Sequence, residues 1–594
     1  MADHIGNRTT SRSSAALWAV VLVALSTGCR DSGSVPAVPA GQTGENADKG
    51  AQNATVAARI RFQDVAVDSG VAWTQQNGEE AGLFTILESF GAGCAIDDYD
   101  GDGRPDLLFA GGGQFAEGPR ILPRPMELFR QVGHWKFEPV AEQAGLRPVR
   151  HYHHGMWMAD LDEDGFADLL ITGWGGLQLF HNQGDGTFVD VSDSSGLSDS
   201  LWSLAAGWGD FNQDQVLDLF VGHYVDWSLT NNPVCTDTRR NLRNICDPTV
   251  FQGLPCTVYL GNGDGTFREA SAELGMQEIG KTLGVIVTDL NGDQRPDVYV
   301  ANDTLPNQLY VSQPSGPYRD MALEDGVALG ELGTADGSMG VDVGDLDGDG
   351  QLDIWVANYE NQSFAFYRNR GHDMFHHASH AFGVSAVGAE AVGFGTILCD
   401  VDGDGRQDIF CANGHVWSPT IPMERRQFPY LFWNEGGTRL KNLAPQLGGY
   451  FAQRHLGRGA AAGDLDGNGT PDLVVTHTNE PVAVLRNETK IPHWLAVRLV
   501  GRASPRSAIG ARVDLFANGR QQVGIVKGGG SYLSTSDREL LFGLGTEARV
   551  ERLVVHWPSG QRTELTDLPA GQRLLLVEEP AAEPGRAATG TEPD

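Results

Sequence analysis

The chain has 594 residues, 13 of them Trp, and a formal charge of −34 from 77 acidic against 43 basic side chains. That balance excludes nucleic acid as a partner, because binding phosphates needs a basic face. A hydrophobic share of 41% excludes a chain disordered throughout, and 77 Gly without a collagen period point to many turns.

Arg8 and Arg12 precede an uncharged run over residues 16–25, followed by Ser26-Thr27-Gly28-Cys29. A basic start, a short apolar core and small residues describe a secretory signal over residues 1–28. The run is too short for a bilayer, which needs ~20 apolar residues. The Gly28-Cys29 junction resembles a bacterial lipobox, with Ser26 where that pattern has Leu. The resemblance implies lipidation of Cys29 and an extracytoplasmic protein, periplasmic or at the cell surface, that meets the membrane only through this anchor. Residues 29–58, poor in large apolar side chains, read as a flexible tether. The six other cysteines fit disulfides in an oxidising compartment. Cys235, Cys246 and Cys256 fall in one insertion, where at least one short bridge is expected, and their spacing does not match a zinc site. Cys94, Cys399 and Cys411 read as buried thiols.

A nine-residue acidic loop then recurs seven times, the copies roughly 50 to 79 residues apart. Positions 1, 3, 5 and 9 carry the ligand candidates. They are Asp98, Asp100, Asp102 and Asp106 in the first copy, and Asp160, Asp162, Asp164 and Asp168 in the second. The third has Asp210, Asn212, Asp214 and Asp218, and the fourth Asp289, Asn291, Asp293 and Asp297. Asp345, Asp347, Asp349 and Asp353 follow, then Asp400, Asp402, Asp404 and Asp408, and last Asp464, Asp466, Asn468 and Asp472. Carboxylates at alternate positions repel one another unless a hard cation lies between them. Their oxygens and a backbone carbonyl at position 7 form the oxygen-only shell that Ca²⁺ prefers. Up to seven Ca²⁺ ions are therefore expected. An EF-hand would need Glu at position 12, where apolar residues or Cys411 stand instead. Copies three and four lack the turn-forming Gly at position 6, so weaker binding is expected there.

Each loop is followed by a short run such as Leu107-Leu108-Phe109 or Val298-Tyr299-Val300, which reads as a buried strand. A glycine, or Ala205 in the third copy, stands five residues before each loop. A second motif, Asn182-Gln183-Gly184-Asp185-Gly186-Thr187-Phe188, repeats near Asn262 and signals hairpins. Each unit thus supplies about four strands, one propeller blade. The last unit lacks its final strand, and Arg61-Phe62-Gln63-Asp64-Val65 at the start supplies one that closes the ring. The expected fold is all-β: a seven-bladed β-propeller over residues 59–488, then a small β-rich domain. The loops resemble the FG-GAP/VCBS repeats of integrin α-chain propellers.

From Lys490 the acidic loops stop. Ser507-Ala508-Ile509-Gly510-Ala511, Gly528-Gly529-Gly530-Ser531-Tyr532-Leu533-Ser534, Phe542-Gly543-Leu544-Gly545 and His556-Trp557-Pro558-Ser559-Gly560 resemble the ASPIC/UnbV domain over residues 489–577, with a tail over 578–594. Repeats followed by this domain resemble the cartilage acidic protein family and its bacterial relatives. Residues 490–527 hold seven basic residues against Asp514 alone, a patch that reads equally as a solvated strand face or as a surface that docks on the propeller or meets an anionic glycan.

No Gly-x-Ser-x-Gly or phosphate loop is present. His151-Tyr152-His153-His154 and the histidines between His372 and His380 are the remaining clusters of metal-ligand type. They read as loop or strand-edge residues rather than a metal site. The reading is a calcium-dependent adhesion or binding module for an extracellular protein or polysaccharide, without a catalytic constellation. The alternative is an extracytoplasmic polysaccharide hydrolase or lyase using the propeller channel, with His153 or His154 near the reaction.

Overall fold

The computed structural model describes residues 56–580 except 119, 238–240, 372–373, 388–389 and 417–424. The expected signal, Cys29 and most of the tether and tail lie outside these residues. Seven four-stranded antiparallel sheets follow one another, the first six each in the order of their strands along the chain. Their first strands are Cys94–Asp97, Tyr152–Ala159, Ser203–Gly209, Thr282–Thr288, Ser338–Gly344, Gly393–Cys399 and Gly457–Gly463. Each first strand packs on the next, and the last returns to the first. The result is a propeller of seven sheets, here called blades 1–7. The seventh is completed by Phe62–Asp64, which pairs antiparallel with Ala483–Asn487. This N-terminal closure leaves no open sheet edge at the junction.

Side-chain latches hold neighbouring blades together. Asn182 Nδ2 donates to Tyr99 O of the preceding loop at 2.8 Å and to Ala167 O of its own loop at 3.2 Å. Asn369, Asn434 and Asn487 repeat this double bond in the fifth, sixth and seventh blades. Gln131 Nε2 reaches Leu465 O at 2.9 Å and joins the first blade to the seventh.

Packing against the propeller starts before the expected boundary. Val56 and Ala57, inside the expected tether, are buried with Tyr450 and Phe451. At the other end Glu578, assigned above to the tail, is buried and accepts the backbone N–H groups of Arg502, Ala503 and Ser504. The C-terminal domain holds two sheets. His493–Val500 pairs antiparallel with Leu540–Gly545 and parallel with Gln572–Val577. Arg512–Ala517 lies between Arg520–Ile525 and Arg549–His556, and Arg562–Pro569 forms the outer edge. Leu495, Val513, Phe542 and Val555 of this domain belong to one continuous apolar core with Trp157, Trp208 and Tyr259 of the propeller. No helix among the described residues is long and apolar enough to cross a membrane.

Candidate functional site

Every acidic loop joins the first strand of a blade to the second, so all seven lie at one end of the propeller. They are wound by their own carboxylates. In the fifth, Asp345 Oδ1 accepts the N–H groups of Gly348 and Asp349, and Oδ2 that of Gly350. Asp347 Oδ1 accepts from Asp349, and Asp349 Oδ1 from Gln351. The position-9 carboxylate does a different job. Asp353 Oδ2 accepts Leu346 N–H at 3.0 Å and Oδ1 accepts Asn369 N–H at 2.8 Å, fastening the loop to the third strand. Asp168, Asp408 and Asp472 repeat that double bond. Where position 6 lacks Gly, the backbone keeps the same left-handed turn with a side chain attached: Gln215 at φ 71° and Gln294 at φ 66°. The third loop adds Gln213 at φ 62°, and such residues cost of order 1–3 kcal/mol each.

The donor set fits a hard cation. Oxygens of Asp98, Asp100 and Asp106 converge within 4.8 Å of one another, as do those of Asp160, Asp162 and Asp164, and of Asp345, Asp347 and Asp353. Asp100 Oδ1, Asp106 Oδ2, Asp160 Oδ1 and Asp402 Oδ1 are buried without a hydrogen-bond partner, a costly state that a bound cation relieves. Burial first, and neighbouring carboxylates second, push Asp160 up to about 7. Burial raises Asp106 to about 9 and Asp218 to about 8. Arginines on third strands share the load: Arg130 contacts Asp100 and Asp102, and Arg368 contacts Asp347 and Asp349. His181, not singled out from sequence, lies 3.0 Å from Asp168 Oδ1 beside the second loop.

The C-terminal domain docks on this end. Of the seven basic residues in its patch, Arg506 approaches Asp160, Arg512 donates to Gly350 O, Arg520 donates to Asp404 O and Gly405 O, and Lys527 pairs with Asp342 at 2.5 Å. Arg573, outside the patch, bonds Asp464 Oδ2 at 2.7 Å. A cavity of about 560 Å³ remains between the two parts, lined by Trp157, Trp208, Asp342, Lys527, Arg538 and Glu539 among others.

Sequence reading missed what the domain does next. Between Ile525 and Leu540 its chain leaves the sheet and enters the propeller axis. Trp208 N–H donates to Gly528 O, Gly528 N–H to Val287 O and Gly530 N–H to Val285 O. Ser531 and Val341 exchange both backbone bonds, and Met156 N–H reaches Leu533 O. Thr535 bonds Cys94 and Ile96, and Asp537 N–H bonds Ala462 O. The Tyr532 ring packs on Phe394 of the sixth blade at 4.9 Å, so all seven first strands meet this segment. A Cβ on Gly93 would lie 1.5 Å from Leu533 O. The recurring glycine before each loop therefore serves close approach at the axis. From the opposite end the turn Ile86–Ser89 and Phe90 fill the same space, in one apolar cluster with Tyr532 and Leu533.

That filling corrects the channel alternative. His154 is fully buried, its Nδ1–H donating to Gly91 O at 2.9 Å and its Nε2 accepting from Trp202 at 3.3 Å. His153 Nε2 accepts Gly111 N–H at 3.0 Å. Burial lowers them to about 4 and about 3 respectively. Both are neutral packing residues closed to a substrate. Of the other cluster, His376 and His377 lie on the outer strand Phe375–His377 of the fifth blade. Cys235 and Cys246 form the expected bridge, and Cys94, Cys256, Cys399 and Cys411 are free.

The model of the FG-GAP-like repeat matches residues 98–171, 160–221, 255–300, 289–356 and 400–475, more than half of the chain. The chain belongs to the FG-GAP-repeat family. The ASPIC and UnbV model matches residues 501–583. Cartilage acidic protein 1 of Homo sapiens is 24% identical over 79% of this chain and 69% of its own length, and that of Xenopus tropicalis 23% over 79% and 70%. Among solved structures, an Agrocybe aegerita lectin described as recognising non-reducing terminal N-acetylglucosamine is 16% identical, with TM-score 0.33 over 65% of this chain and 85% of its own. The rhamnogalacturonan lyase YesW is 14% identical, with TM-score 0.36 over 66% and 71%. At that distance neither bears on function.

Proposed function

We propose that the chain is an exported binding module, stabilised by calcium, that engages an extracellular protein or glycan through the end of the propeller opposite the acidic loops. The observation that carries this reading is the occupied axis together with the domain docked on four of the acidic loops. The C-terminal domain bonds the second, fifth, sixth and seventh acidic loops and its own chain fills the centre, which leaves the opposite end as the surface it does not touch. Second-to-third-strand and blade-to-blade connections gather there by topology. They include the disulfide-bridged insertion with Val234 and Leu242 exposed, and the connection bearing Leu332, 87% exposed. Exposed apolar residues on long connections suit recognition. The Cys235–Cys246 bridge agrees with an oxidising compartment. Contact of the docked domain with four acidic loops supports a structural role for calcium.

The test is thermal unfolding of the full chain in Ca²⁺ and in EGTA, with bound ions counted by calorimetry. Glycan and extracellular-protein arrays are then probed with wild type and with Leu332→Asp. Several bound ions, a lower melting temperature on chelation and a ligand lost in Leu332→Asp are expected. An unchanged melting curve would sink the calcium reading. A ligand retained in full by Leu332→Asp and Val234→Asp would sink the assignment of the face.

A further inference from the structure

The opposite end also carries a group built on two imidazoles, where the acidic loops offer carboxylates and, beside the second, the single imidazole of His181. His477 ends the second strand of the seventh blade, Glu480 stands three residues on, and His455 lies in the connection entering that blade. One nitrogen of each imidazole and a carboxylate oxygen of Glu480 lie within 4.8 Å of one another. The two rings stack at 4.9 Å and 19°, and the Tyr450 ring stacks on His455 at 4.1 Å.

Hydrogen bonding fixes which nitrogens face the group. His477 Nδ1 lies 2.6 Å from Pro481 O, and His455 Nε2 lies 3.1 Å from Tyr450 O. A carbonyl only accepts, so both of those nitrogens carry the proton. That leaves the lone pairs on His455 Nδ1 and on His477 Nε2, the latter shared with the Tyr450 hydroxyl, which must turn aside for a metal to bind there. Metal-ligating histidines are held in this way, with the second N–H donated to a carbonyl that sets tautomer and ring orientation. His477 Nε2 accepts the Tyr450 hydroxyl at 3.0 Å, which puts a fourth polar side chain beside the group. Glu480 is anchored by Leu456 N–H on Oε2 at 3.0 Å and by Arg426 on Oε1, leaving a lone pair on each oxygen.

We infer that His455, His477 and Glu480 form a binding site for a divalent transition ion of the zinc class, separate from the acidic loops. Two imidazole nitrogens and one carboxylate suit such an ion and not Ca²⁺, which takes oxygen shells. His477 ends its strand where His223, Asn302, Asn358 and Asn413 end theirs and makes the same bond to a connection carbonyl, so what sets this junction apart is His455 and Glu480 brought beside it.

The test uses the full chain in excess Ca²⁺, which competes for the acidic loops. Co²⁺ is added as the probe, excess metal is removed by gel filtration, and bound cobalt is quantified alongside its visible absorption. About one tightly held equivalent with a nitrogen-ligand spectrum is expected. His455→Ala and Glu480→Gln, both at partly exposed positions, should keep the wild-type melting temperature and weaken Co²⁺ binding by more than about 100-fold, since loss of an outer partner alone costs about 10–100-fold. His477→Ala should do the same, and if it fails to fold the other two variants decide. Wild type that retains no cobalt, or folded His455→Ala and Glu480→Gln that retain it undiminished, would overturn the site.

Discussion

The two ends of the propeller are built from one chain under opposite rules. At the acidic end the same nine residues recur in every blade, wound by the same Asx-type bonds and fastened by the same position-9 Asp. At the other end no two connections are alike, ranging from the tight Trp174–Gly176 turn to the disulfide-bridged stretch between His223 and Thr257. A regular surface can be met by one rigid domain, and here four of its seven loops are. An irregular surface cannot, and it stays open. Regularity at one end serves assembly, and variety at the other is available for recognition.

Chelation tests the first half of this contrast most severely. Each ion held at 100 times its dissociation constant adds about 2.7 kcal/mol. EGTA should therefore lower the melting temperature more than any point change at the opposite end, as read by calorimetry. Tyr532→Ala comes next. Its ring is fully buried where the two axial segments meet, and the loss should be about 3–5 kcal/mol by chemical denaturation. An effect under about 1 kcal/mol would mean that the axial segment is an ornament of an independently stable ring.

Acid probes the axis in another way. His154 is held neutral, its folded value near 4 lying below the ordinary 6.5. A depressed histidine gives stability that is present above about 6.5 and lost as pH falls toward 4. For this residue the loss is of the order of 3 kcal/mol. His154→Asn, which can still donate to Gly91 O, should show a shallower decline in melting temperature between pH 7 and 4. A smaller effect separates the loops from one another. Gln215→Gly relieves a left-handed turn and should stabilise the chain by about 1 kcal/mol, whereas Gly350→Gln should cost a similar amount. At the open end, Leu332→Asp should change stability by less than about 0.5 kcal/mol while abolishing ligand capture.

Much of this was legible in the sequence because the repeat is local. Alternating Asp, the Gly turn and the apolar run after position 9 all fall within a dozen residues, so seven copies reveal loop, strand and blade together. Closure was legible too, because the last unit visibly lacks a strand that the first residues supply. The axial segment was not. Gly528-Gly529-Gly530 stands out as a motif, but its partners Trp208, Val285, Val341 and Cys94 come from different blades and share no spacing with it. Gly93 and its counterparts likewise read as punctuation, when their requirement is to admit Leu533 O and neighbouring backbone. The latch residues Asn182, Asn369, Asn434 and Asn487 recur openly, yet a side chain that bonds the preceding blade leaves no local signature. His455 and His477 were missed for the same reason, since neither sits in a cluster along the chain.

Closure by the N-terminal strand also orders events in time. Asp64 bonds Val484 across 420 positions of sequence, and Ser534 meets Cys94 across 440. Neither contact exists until almost the whole chain has been made, and contacts of such separation form slowly. Phe62–Asp64 must therefore wait unpaired while six blades are synthesised, and the axis can fill only afterwards. A product cut short before Ala483 keeps a bare edge on each side of the gap, exposed to aggregation and proteases. The same geometry that removes edges from the finished ring thus makes completeness of the chain a condition for its survival.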